Sequence, residues 1–170
     1  MTDKTAHPHT EVETVAFGVL TVSSSRTLET DGSGDAIADA ATADGREIAA
    51  RELVTDDREL IAAAVLAMVT DDAVDAVIIT GGTGLSPEDV TVEAVRPLCE
   101  QAIPGFGELF RYLSYEDIGP RALLSRAFGG SIDGVPVFCL PGSEQAARFG
   151  TEELILPTVA HVICHTQGLE

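Results

Sequence analysis

The hydrophobic positions of this chain follow two patterns that alternate. Short runs of β-branched and other apolar residues are typical of buried strands, whereas apolar residues that recur every three or four positions are typical of helices. The strand pattern covers residues 14–22, 47–54, 75–80, 126–132 and 136–140, and the helix pattern covers residues 35–44, 58–70, 91–98, 105–115, 120–124 and 144–165. This alternation predicts an α/β protein, a three-layer α/β/α sandwich with a mostly parallel sheet.

Two positions refine this architecture. Asp133-Gly134 separates the last two apolar runs and is a typical hairpin signal, so we predict one antiparallel member of the sheet. Pro157 lies inside the last helical pattern, where a proline bends or breaks a helix. We expect residues 14–170 to form a single domain, preceded by a flexible polar arm at residues 1–13.

Polar and glycine-containing stretches follow four of the predicted strands. They are residues 23–26, 56–57, 81–89 and 141–143. Sheets of this kind bind their ligands at the carboxyl ends of strands, so we expect these stretches to form one binding site. Part of the clustering is automatic, because the ends of strands generally carry turn residues.

The longest of these stretches begins with Gly81, Gly82, Thr83 and Gly84. Glycines lack the Cβ atoms that keep a ligand away from the backbone, and successive backbone N–H groups can then bind phosphate oxygens. The stretch lacks the lysine of a P-loop and the spacing of a dinucleotide-binding loop. The pattern alone leaves two interpretations open, a phosphate-binding loop and a structural turn.

Asp56 and Asp89 each follow a different predicted strand. If they face one ligand, they suit a magnesium ion that is held by one or two carboxylates and by substrate phosphates. Each acid could instead cap the helix that follows it, where acidic residues are favoured. The sequence does not distinguish Asp56 from its neighbour Asp57 as the residue that faces the ligand.

The charge of the chain excludes some partners. The formal net charge is −18, and Lys4 is the only lysine. Nucleic acids and anionic membranes bind basic patches, so neither is an expected partner. Acidic residues that are spread over the whole chain fit a cytoplasm at very high salt, which predicts a halophilic source. The apolar runs are too short to span a bilayer and the N-terminus has no apolar signal-peptide core, so we predict a cytoplasmic protein.

The cysteines and paired histidines have simple interpretations. Cys99, Cys139 and Cys164 each stand alone in an apolar stretch, which predicts buried free thiols. His161 and His165 are spaced for one helix face, but the glutamate of the zinc-protease pattern is missing. We therefore interpret these histidines as residues of the terminal helix rather than as metal ligands.

Several motifs occur in a fixed order along the chain. They are Thr21-Val22-Ser23 with Arg26, Thr80-Gly81-Gly82-Thr83-Gly84 with Asp89-Val90-Thr91, Pro104-Gly105-Phe106-Gly107-Glu108, Leu124-Ser125-Arg126-Ala127, and Leu140-Pro141-Gly142-Ser143. From residue 15 to residue 157, this series resembles the MoaB/MogA family of molybdenum-cofactor biosynthesis proteins, the molybdopterin adenylyltransferases. Residues 106–119 (FGELFRYLSYEDIG) are most similar to the MoaB branch.

The resemblance implies the molybdopterin-binding MogA-like fold and adenylyl transfer from ATP and Mg²⁺ to the terminal phosphate of molybdopterin, with release of pyrophosphate. It implies that Asp56 and Asp89 are the catalytic acids and act through Mg²⁺. The substrate-binding residues that it implies are Ser23, Gly81, Gly82, Thr83, Gly84, Ser125, Pro141, Gly142 and Ser143, with Arg26, Ser33 and Glu108 as further candidates. Family members are trimers or hexamers, so self-association is implied as well.

Two other functions stay open. Some members of the MoaB branch are thought not to catalyse adenylylation, and Glu144, an acid near the expected anionic ligands, fits a non-catalytic molybdopterin-binding carrier or scaffold. Asp56 favours an active enzyme, because some of those members lack the first acid. A distant relative could act on another nucleotide, as competence-damage-type proteins do, although their loop resembles Gly-Gly-Leu-Gly-Pro-Thr and residues 81–86 here do not match it. The sequence does not distinguish molybdenum from tungsten as the metal inserted downstream.

Overall fold

The computed structural model of the protein describes residues 14–169, so the expected arm at residues 1–13 lies outside the described residues. Six strands form one sheet: β1 (Ala16–Val22), β2 (Glu47–Val54), β3 (Ala76–Thr80), β4 (Gln101–Ile103), β5 (Phe128–Ile132) and β6 (Val135–Leu140). Their order across the sheet is β2-β1-β3-β6-β5-β4. Neighbours from β2 to β6 pair in parallel, and β5 is antiparallel to both of its neighbours. The predicted sheet, with one antiparallel member, is confirmed.

Helices cover both faces of this sheet. They are α1 (Gly32–Ala43), α2 (Arg58–Val69), α3 (Thr91–Val95), α4 (Pro104–Ile118), α5 (Glu144–Gly150) and α6 (Val159–Thr166). Strand residues on one face, such as Phe17 and Ile78, pack with α1, α4, α5 and α6. Strand residues on the other face, such as Leu20 and Ile79, pack with α2 and α3. The result is the predicted three-layer sandwich. None of the helices in residues 14–169 is long and apolar enough to cross a membrane.

The first helix begins three residues earlier than its apolar pattern predicts, at Gly32 rather than at residue 35. The cause is the side chain of Asp31, whose Oδ1 accepts a hydrogen bond from the backbone N–H of Gly34 (3.0 Å). Such a cap stabilises a helix end and here offsets the low helix propensity of the glycines. Part of the expected polar loop is therefore helical.

Two further elements differ in detail from the prediction. Strand β4 was not predicted, because three residues at the sheet edge before Pro104 are too few to show an alternating pattern. The last predicted helix is divided into α5, a π-helical turn (Thr151–Ile155) and α6. Pro157 lies in the break between the turn and α6, so the expected bend is confirmed.

The hairpin between β5 and β6 has a consequence for the edge of the sheet where β1, β3 and β6 end. Its turn, Asp133-Gly134, has φ angles of 49° and 79°, as a tight two-residue hairpin requires. In the hairpin, Phe128 at the start of β5 pairs with Cys139 near the end of β6. The segment that precedes β5 therefore reaches the same edge as the loops that follow the parallel strands.

Candidate functional site

A cavity of about 690 Å³ opens at the carboxyl ends of β1, β3 and β6. All four stretches that the sequence singled out contribute to its wall. The lining residues are Val22, Ser23, Ser24, Ser25, Arg26, Asp56, Gly81, Gly82, Thr83, Gly84, Ser86, Glu88, Asp89, Phe110, Ser114, Ile118, Arg121, Ala122, Leu124, Ser125, Pro141, Gly142, Ser143 and Ala146. The predicted convergence of strand ends on one site is therefore present in the structure.

The first two glycines of the loop after β3 have conformations that other residues rarely adopt. Gly81 and Gly82 have φ angles of 100° and 64°. A Cβ atom on Gly81 would lie 2.2 Å from the carbonyl oxygen of Val22, and one on Gly82 would lie 2.2 Å from Oγ1 of Thr91. Thr91 Oγ1 also donates a hydrogen bond to the carbonyl oxygen of Gly81 (2.8 Å). Both glycines are required by close packing, whether or not a ligand binds.

Asp89 folds back onto this loop. Its Oδ2 accepts a hydrogen bond from the backbone N–H of Ser86 (2.8 Å). A Cβ atom on Gly84 would lie only 2.7 Å from the same oxygen, so the glycine makes room for the carboxylate. The residue directly before α3 is Val90, and α3 has no side-chain cap. The carboxylate of Asp89 therefore closes the loop and lines the cavity rather than capping a helix.

Asp56 and Asp57 have different positions. Asp57 caps α2, because its Oδ1 accepts hydrogen bonds from the backbone N–H groups of Glu59 (2.9 Å) and Leu60 (3.0 Å). Asp56 lines the cavity, and its Oδ2 accepts a hydrogen bond from Ser24 Oγ (2.6 Å). The capping interpretation thus holds for Asp57, and Asp56 is the acid that faces the cavity.

Arg26 is held in place on the cavity wall. Its Nη1 donates to Ser33 Oγ (3.0 Å) and to the carbonyl oxygen of Gly142 (3.1 Å). Ser33 itself is fully buried and does not line the cavity. The expectation that Ser33 contacts a substrate stays a prediction, and in this structure its hydroxyl accepts a hydrogen bond from Arg26 and orients that side chain.

A buried carboxylate lies beneath this arrangement. The side chain of Asp31 is fully buried and accepts hydrogen bonds from Thr21 Oγ1 (2.7 Å) and Arg51 Nη2 (3.0 Å), besides the cap to Gly34. Burial alone would raise the pKa of Asp31, but these hydrogen bonds and the charge of Arg51 outweigh it and lower the pKa. Asp31 is thus an ionised anchor for the start of α1, which carries Ser33.

The stretch after β6 completes the wall opposite the glycine loop. Thr80 Oγ1 donates to the carbonyl oxygen of Pro141 (2.9 Å), which joins the ends of β3 and β6. A Cβ atom on Gly142 would lie 3.2 Å from the Cα atom of Gly81, so the two backbones touch at this point. Ser143 Oγ caps α5 by accepting from the backbone N–H of Ala146 (3.3 Å).

The segment before β5 supports the glycine loop from behind. Ser125 lines the cavity, and its Oγ accepts from the backbone N–H of Ala127 (3.3 Å). The next residue, Arg126, donates to carbonyl oxygens of the loop and forms an ion pair with Glu93. The hydrogen bond from Arg126 lowers the pKa of Glu93. The sequence placed Arg126 inside a motif without giving it a role.

Glu108 does not belong to the cavity. It lines a separate depression of about 670 Å³, together with Arg96, Arg111 and Arg126. The expectation that Glu108 takes part in the site stays a prediction, and in this structure Glu108 lies on a face of α4 that does not line the cavity. The face that does line the cavity carries Phe110, Ser114 and Ile118.

Sequence reasoning missed this second face of α4 and the arginine that follows it. Phe110, Ser114 and Ile118 recur at a spacing of four residues, so they lie on one side of the helix. Arg121, in the 3₁₀ turn after α4 (Gly119–Leu124), is a second arginine of the cavity wall, in addition to Arg26. The four-residue spacing is a signal that could have revealed the helix face, but the position of Arg121 depends on the turn.

Asp56 and Asp89 are the two aspartates among the described residues that line the cavity. Among residues 14–169, no group of three or more His, Cys, Asp or Glu side chains is placed to hold a metal ion. Magnesium is commonly held by one or two carboxylates and completed by phosphate oxygens and water. The hydrogen bonds that the described residues donate to Asp56 and Asp89 go to Oδ2 in both cases. One oxygen of each acid, Oδ1, is thus left for such an ion.

None of the three cysteines lines the cavity, and neither does His161 or His165. Cys139 and Cys164 are buried, as predicted, whereas Cys99 is half-buried. Burial raises the pKa of Cys99 to about 11, so this thiol is uncharged at neutral pH. His161 and His165 contact each other on α6, with their Nε2 atoms 2.8 Å apart.

Comparisons with known proteins agree with this geometry. The family described as "Probable molybdopterin binding domain" matches residues 18–161. Molybdenum cofactor biosynthesis protein B of Bacillus subtilis (strain 168) is 44% identical over 158 residues, which cover 92% of this chain and 93% of the relative. The protein of the same name from Bacillus cereus is 45% identical over 159 residues, which cover 93% of this chain and 94% of the relative.

Solved structures show the same likeness. The crystal structure of a molybdenum cofactor biosynthesis protein B superposes with a TM-score of 0.88 at 44% identity, over 91% of this chain and 96% of the other. The tungsten cofactor synthesizing protein MoaB from Pyrococcus furiosus superposes with a TM-score of 0.82 at 35% identity, over 91% of this chain and 98% of the other. The chain therefore belongs to the MoaB/MogA family of molybdenum-cofactor biosynthesis proteins.

Proposed function

We propose that this protein transfers an adenylyl group from ATP to the terminal phosphate of molybdopterin. The observation that carries the proposal is the joint position of Asp56 and Asp89 on the wall of the cavity that also contains the glycine loop. The two acids follow β2 and β3, which lie on either side of β1, so they approach the cavity from two separate strands. One cavity thus offers phosphate-binding backbone and two carboxylates for a divalent cation.

The reaction is a displacement at phosphorus. An oxygen of the terminal phosphate of molybdopterin attacks the α-phosphorus of ATP and forms a new P–O bond. The bond from the α-phosphorus to the oxygen that bridges to the β-phosphorus breaks, and pyrophosphate leaves with the electron pair. A phosphate dianion is already a nucleophile, so the reaction needs no general base. The main obstacle is the repulsion between anions, which positioning and electrostatic stabilisation overcome.

The residues of the cavity have matching tasks in this proposal. Asp56 and Asp89 would hold a magnesium ion, and this ion would neutralise charge on the transferred group. Backbone N–H groups of the glycine loop orient phosphate oxygens. Arg26 and Arg121 provide positive charge in a protein whose net charge of −18 would otherwise repel both substrates.

Glu144 gives the carrier function less support than its position in the sequence suggests. A Cβ atom on Gly32 would lie 1.9 Å from Glu144 Oε1, so this carboxylate rests against the start of α1. It lines a different depression, together with Asp35, Asp39 and Arg148. Its charge is thus directed away from the site of the anionic ligands.

Self-association is part of the proposal. Leu109, Tyr112 and Tyr115 lie on one side of α4 and expose 52%, 65% and 59% of their surface. Such a group of large apolar side chains favours contact with a second copy of the chain in a trimer or hexamer. The halophilic source also stays a prediction, and it suggests that assembly and activity be measured in concentrated KCl.

The test is an incubation with ATP, Mg²⁺ and molybdopterin in concentrated KCl, in which pyrophosphate and adenylylated pterin are both measured. We expect both products from the wild-type protein, and a loss of about 10²–10³-fold in Asp89→Ala and Asp56→Asn, because each removes a charge that the transition state needs. The matched control is Asp57→Asn, which retains the helix cap and should retain activity.

Three results would contradict the proposal. Tight pterin binding without either product would indicate a non-catalytic carrier instead of an enzyme. Turnover of unrelated nucleotides, without adenylylated pterin, would point to another substrate. Equal activity of Asp56→Asn and Asp57→Asn would show that the acid on the cavity wall has no special role.

A further inference from the structure

Arg126 makes an unusual set of contacts with the glycine loop. Its Nε donates to the carbonyl oxygen of Gly84 (2.7 Å), and its Nη2 donates to the carbonyl oxygen of Asp89 (2.7 Å). Its backbone N–H donates to the carbonyl oxygen of Thr83 (3.0 Å). One residue therefore binds three carbonyl groups of a single loop, at both of its ends.

The loop needs such a partner because residues 83–89 form no helix or strand that would satisfy these carbonyl groups. Arginine suits the task, since its planar guanidinium group offers several donors in a fixed arrangement. The third donor, Nη1, is engaged by Glu93 on α3. This ion pair fixes the guanidinium relative to the helix that follows the loop.

The contact with Thr83 also determines the direction of a loop amide. A trans peptide places its C=O and N–H groups on opposite sides. The carbonyl group of Thr83 points to the backbone of Arg126, so the N–H group of Gly84 points away from it. Thr83 and Gly84 both line the cavity, whereas Arg126 lines the separate depression that contains Glu108. Arg126 therefore acts on the loop from outside the cavity.

We propose that Arg126 is the positioning residue of the glycine loop and that it sets the place of Asp89 in the cavity. The inference rests on the adenylyl transfer proposed above, and it assigns to Arg126 a role without contact with either substrate. By fixing the backbone of Gly84 and of Asp89, Arg126 fixes both ends of the segment that carries the catalytic carboxylate. Its loss leaves the carboxylate present but misplaced, and a small misplacement strongly lowers the rate.

The experiment compares Arg126→Ala and Arg126→Lys with a matched control, Arg96→Ala. Arg96 lines the same depression, where its guanidinium lies 5.2 Å from the centre of the Phe128 ring, away from the loop carbonyls. We expect kcat to fall about 10²-fold in Arg126→Ala, with a smaller change in KM for molybdopterin, and to stay near the wild-type value in Arg96→Ala. Arg126→Lys should retain only part of the wild-type kcat, because the lysine ammonium group is a single point charge and lacks the planar arrangement of guanidinium donors.

Two readouts separate positioning from a general loss of structure. Added guanidinium ion should restore part of the turnover of Arg126→Ala, because it can replace the missing donors, and should not affect Arg96→Ala. Hydrogen exchange of the ligand-free protein should become faster at the amides of residues 82–90 in Arg126→Ala, while the amides of β1, β3 and β6 keep the protection of the wild type.

The outcomes are distinct from those for the proposed function. If the wild-type protein gives no product, the adenylyl transfer fails, and the exchange at residues 82–90 still decides whether Arg126 holds the loop. Turnover of Arg126→Ala within threefold of the wild type would overturn the inference. So would unchanged exchange of these amides, or a variant Arg126→Lys that unfolds together with Arg126→Ala.

Discussion

Two loops line the same cavity and are held in different ways. Three contacts fix the loop after β3. At its start, Gly81 donates its N–H to the carbonyl oxygen of Leu140 (3.0 Å) and accepts a hydrogen bond from Thr91 Oγ1 at its own carbonyl oxygen. Further along, Arg126 donates to the carbonyl oxygens of Gly84 and Asp89. The loop after β1 contains Ser24 and Ser25, which are exposed. Two exposed hydrogen bonds link it to the acid that follows β2, one from Ser24 Oγ to Asp56 Oδ2 (2.6 Å) and one from the backbone N–H of Asp56 to Ser24 Oγ (3.2 Å).

The difference suggests a division of tasks between the two acids. Asp89 is preorganised, so its position costs little reorganisation when the phosphates arrive. Asp56 is attached to a loop that can adjust to the ligand. Within the loop after β1, Arg26 is an exception, because Ser33 and the carbonyl group of Gly142 hold its side chain in place. We therefore expect changes to the residues that hold the loop after β3 to have larger effects than changes to the residues that hold the loop after β1.

The largest effect on stability should come from Gly82→Ala. The new Cβ atom would lie 2.2 Å from Thr91 Oγ1, at a φ of 64° that alanine disfavours, so both a steric clash and backbone strain follow. We expect the free energy of unfolding to fall by about 3 kcal/mol and turnover to fall at least tenfold. Denaturant unfolding and the product assay measure the two effects.

Gly45→Ala is the matched control for this change. Gly45 follows α1 with a φ of 78°, but nothing lies within 4 Å of its added Cβ atom. The free energy of unfolding of this variant should fall by only about 1 kcal/mol, which is the cost of the positive φ, and its turnover should be normal. Equal losses of stability in Gly45→Ala and Gly82→Ala would show that close packing of the loop contributes nothing.

Asp31→Asn should have the next largest effect, and the effect should depend on pH. Hydrogen bonds and the charge of Arg51 outweigh burial and hold the folded-state pKa of Asp31 below its ordinary value of 3.8. The ionised carboxylate therefore stabilises the fold fully above that ordinary value, and this contribution is lost as the pH falls through the lower folded-state pKa. We expect Asp31→Asn to lower the free energy of unfolding by about 2–3 kcal/mol at pH 7.

The comparison with the wild type should be made from pH 7 down to acidic pH. The difference between the two proteins should shrink once the pH is below 3.8. Asp39→Asn, on the same helix with a side chain that is 76% exposed, is the control and should show almost no difference at any pH. A difference that stays constant with pH would mean that the charge of Asp31 is not what stabilises the protein.

Ser24→Ala should have the smallest effect. It removes both hydrogen bonds between Ser24 Oγ and Asp56, which lie in an exposed position, so we expect turnover to fall about threefold and the unfolding curve to stay unchanged. In a double-mutant cycle, Ser24→Ala should have a smaller effect in an Asp56→Asn background, because the charged acceptor is already lost there. A loss of more than about tenfold would show that the loop after β1 is as critical as the loop after β3.

Much of the fold and of the site could be predicted because they depend on local patterns. Apolar runs marked five of the six strands, and the rule that ligands bind at the carboxyl ends of strands identified stretches that line one cavity. The choice between Asp56 and Asp57 could not be predicted, since it depends on which carboxylate meets the free N–H groups of α2. Helix boundaries near glycines were also beyond local reasoning, as the cap of Asp31 on α1 shows.

The rule for strand ends explains why Arg126 had no assigned role. The rule predicts that site residues follow strands, whereas Arg126 precedes β5. Since β5 is antiparallel to β6, the start of this strand lies at the edge where the parallel strands end. The positions of Glu108 and Ser33 outside the cavity lining could not be predicted for a related reason, because membership in a motif does not tell whether a side chain lines a cavity or supports its wall.

The antiparallel hairpin also sets the order in which the cavity can be completed during synthesis. Both acids and the glycine loop precede residue 90, but Arg126 and the wall of residues 141–143 lie before and after the β5–β6 hairpin. A nascent chain that has emerged only to residue 120 therefore carries the acids without the groups that hold the loop. Such a chain has no finished cavity wall, however well its first 120 residues have folded, so the cavity is completed only after the β5–β6 hairpin has emerged.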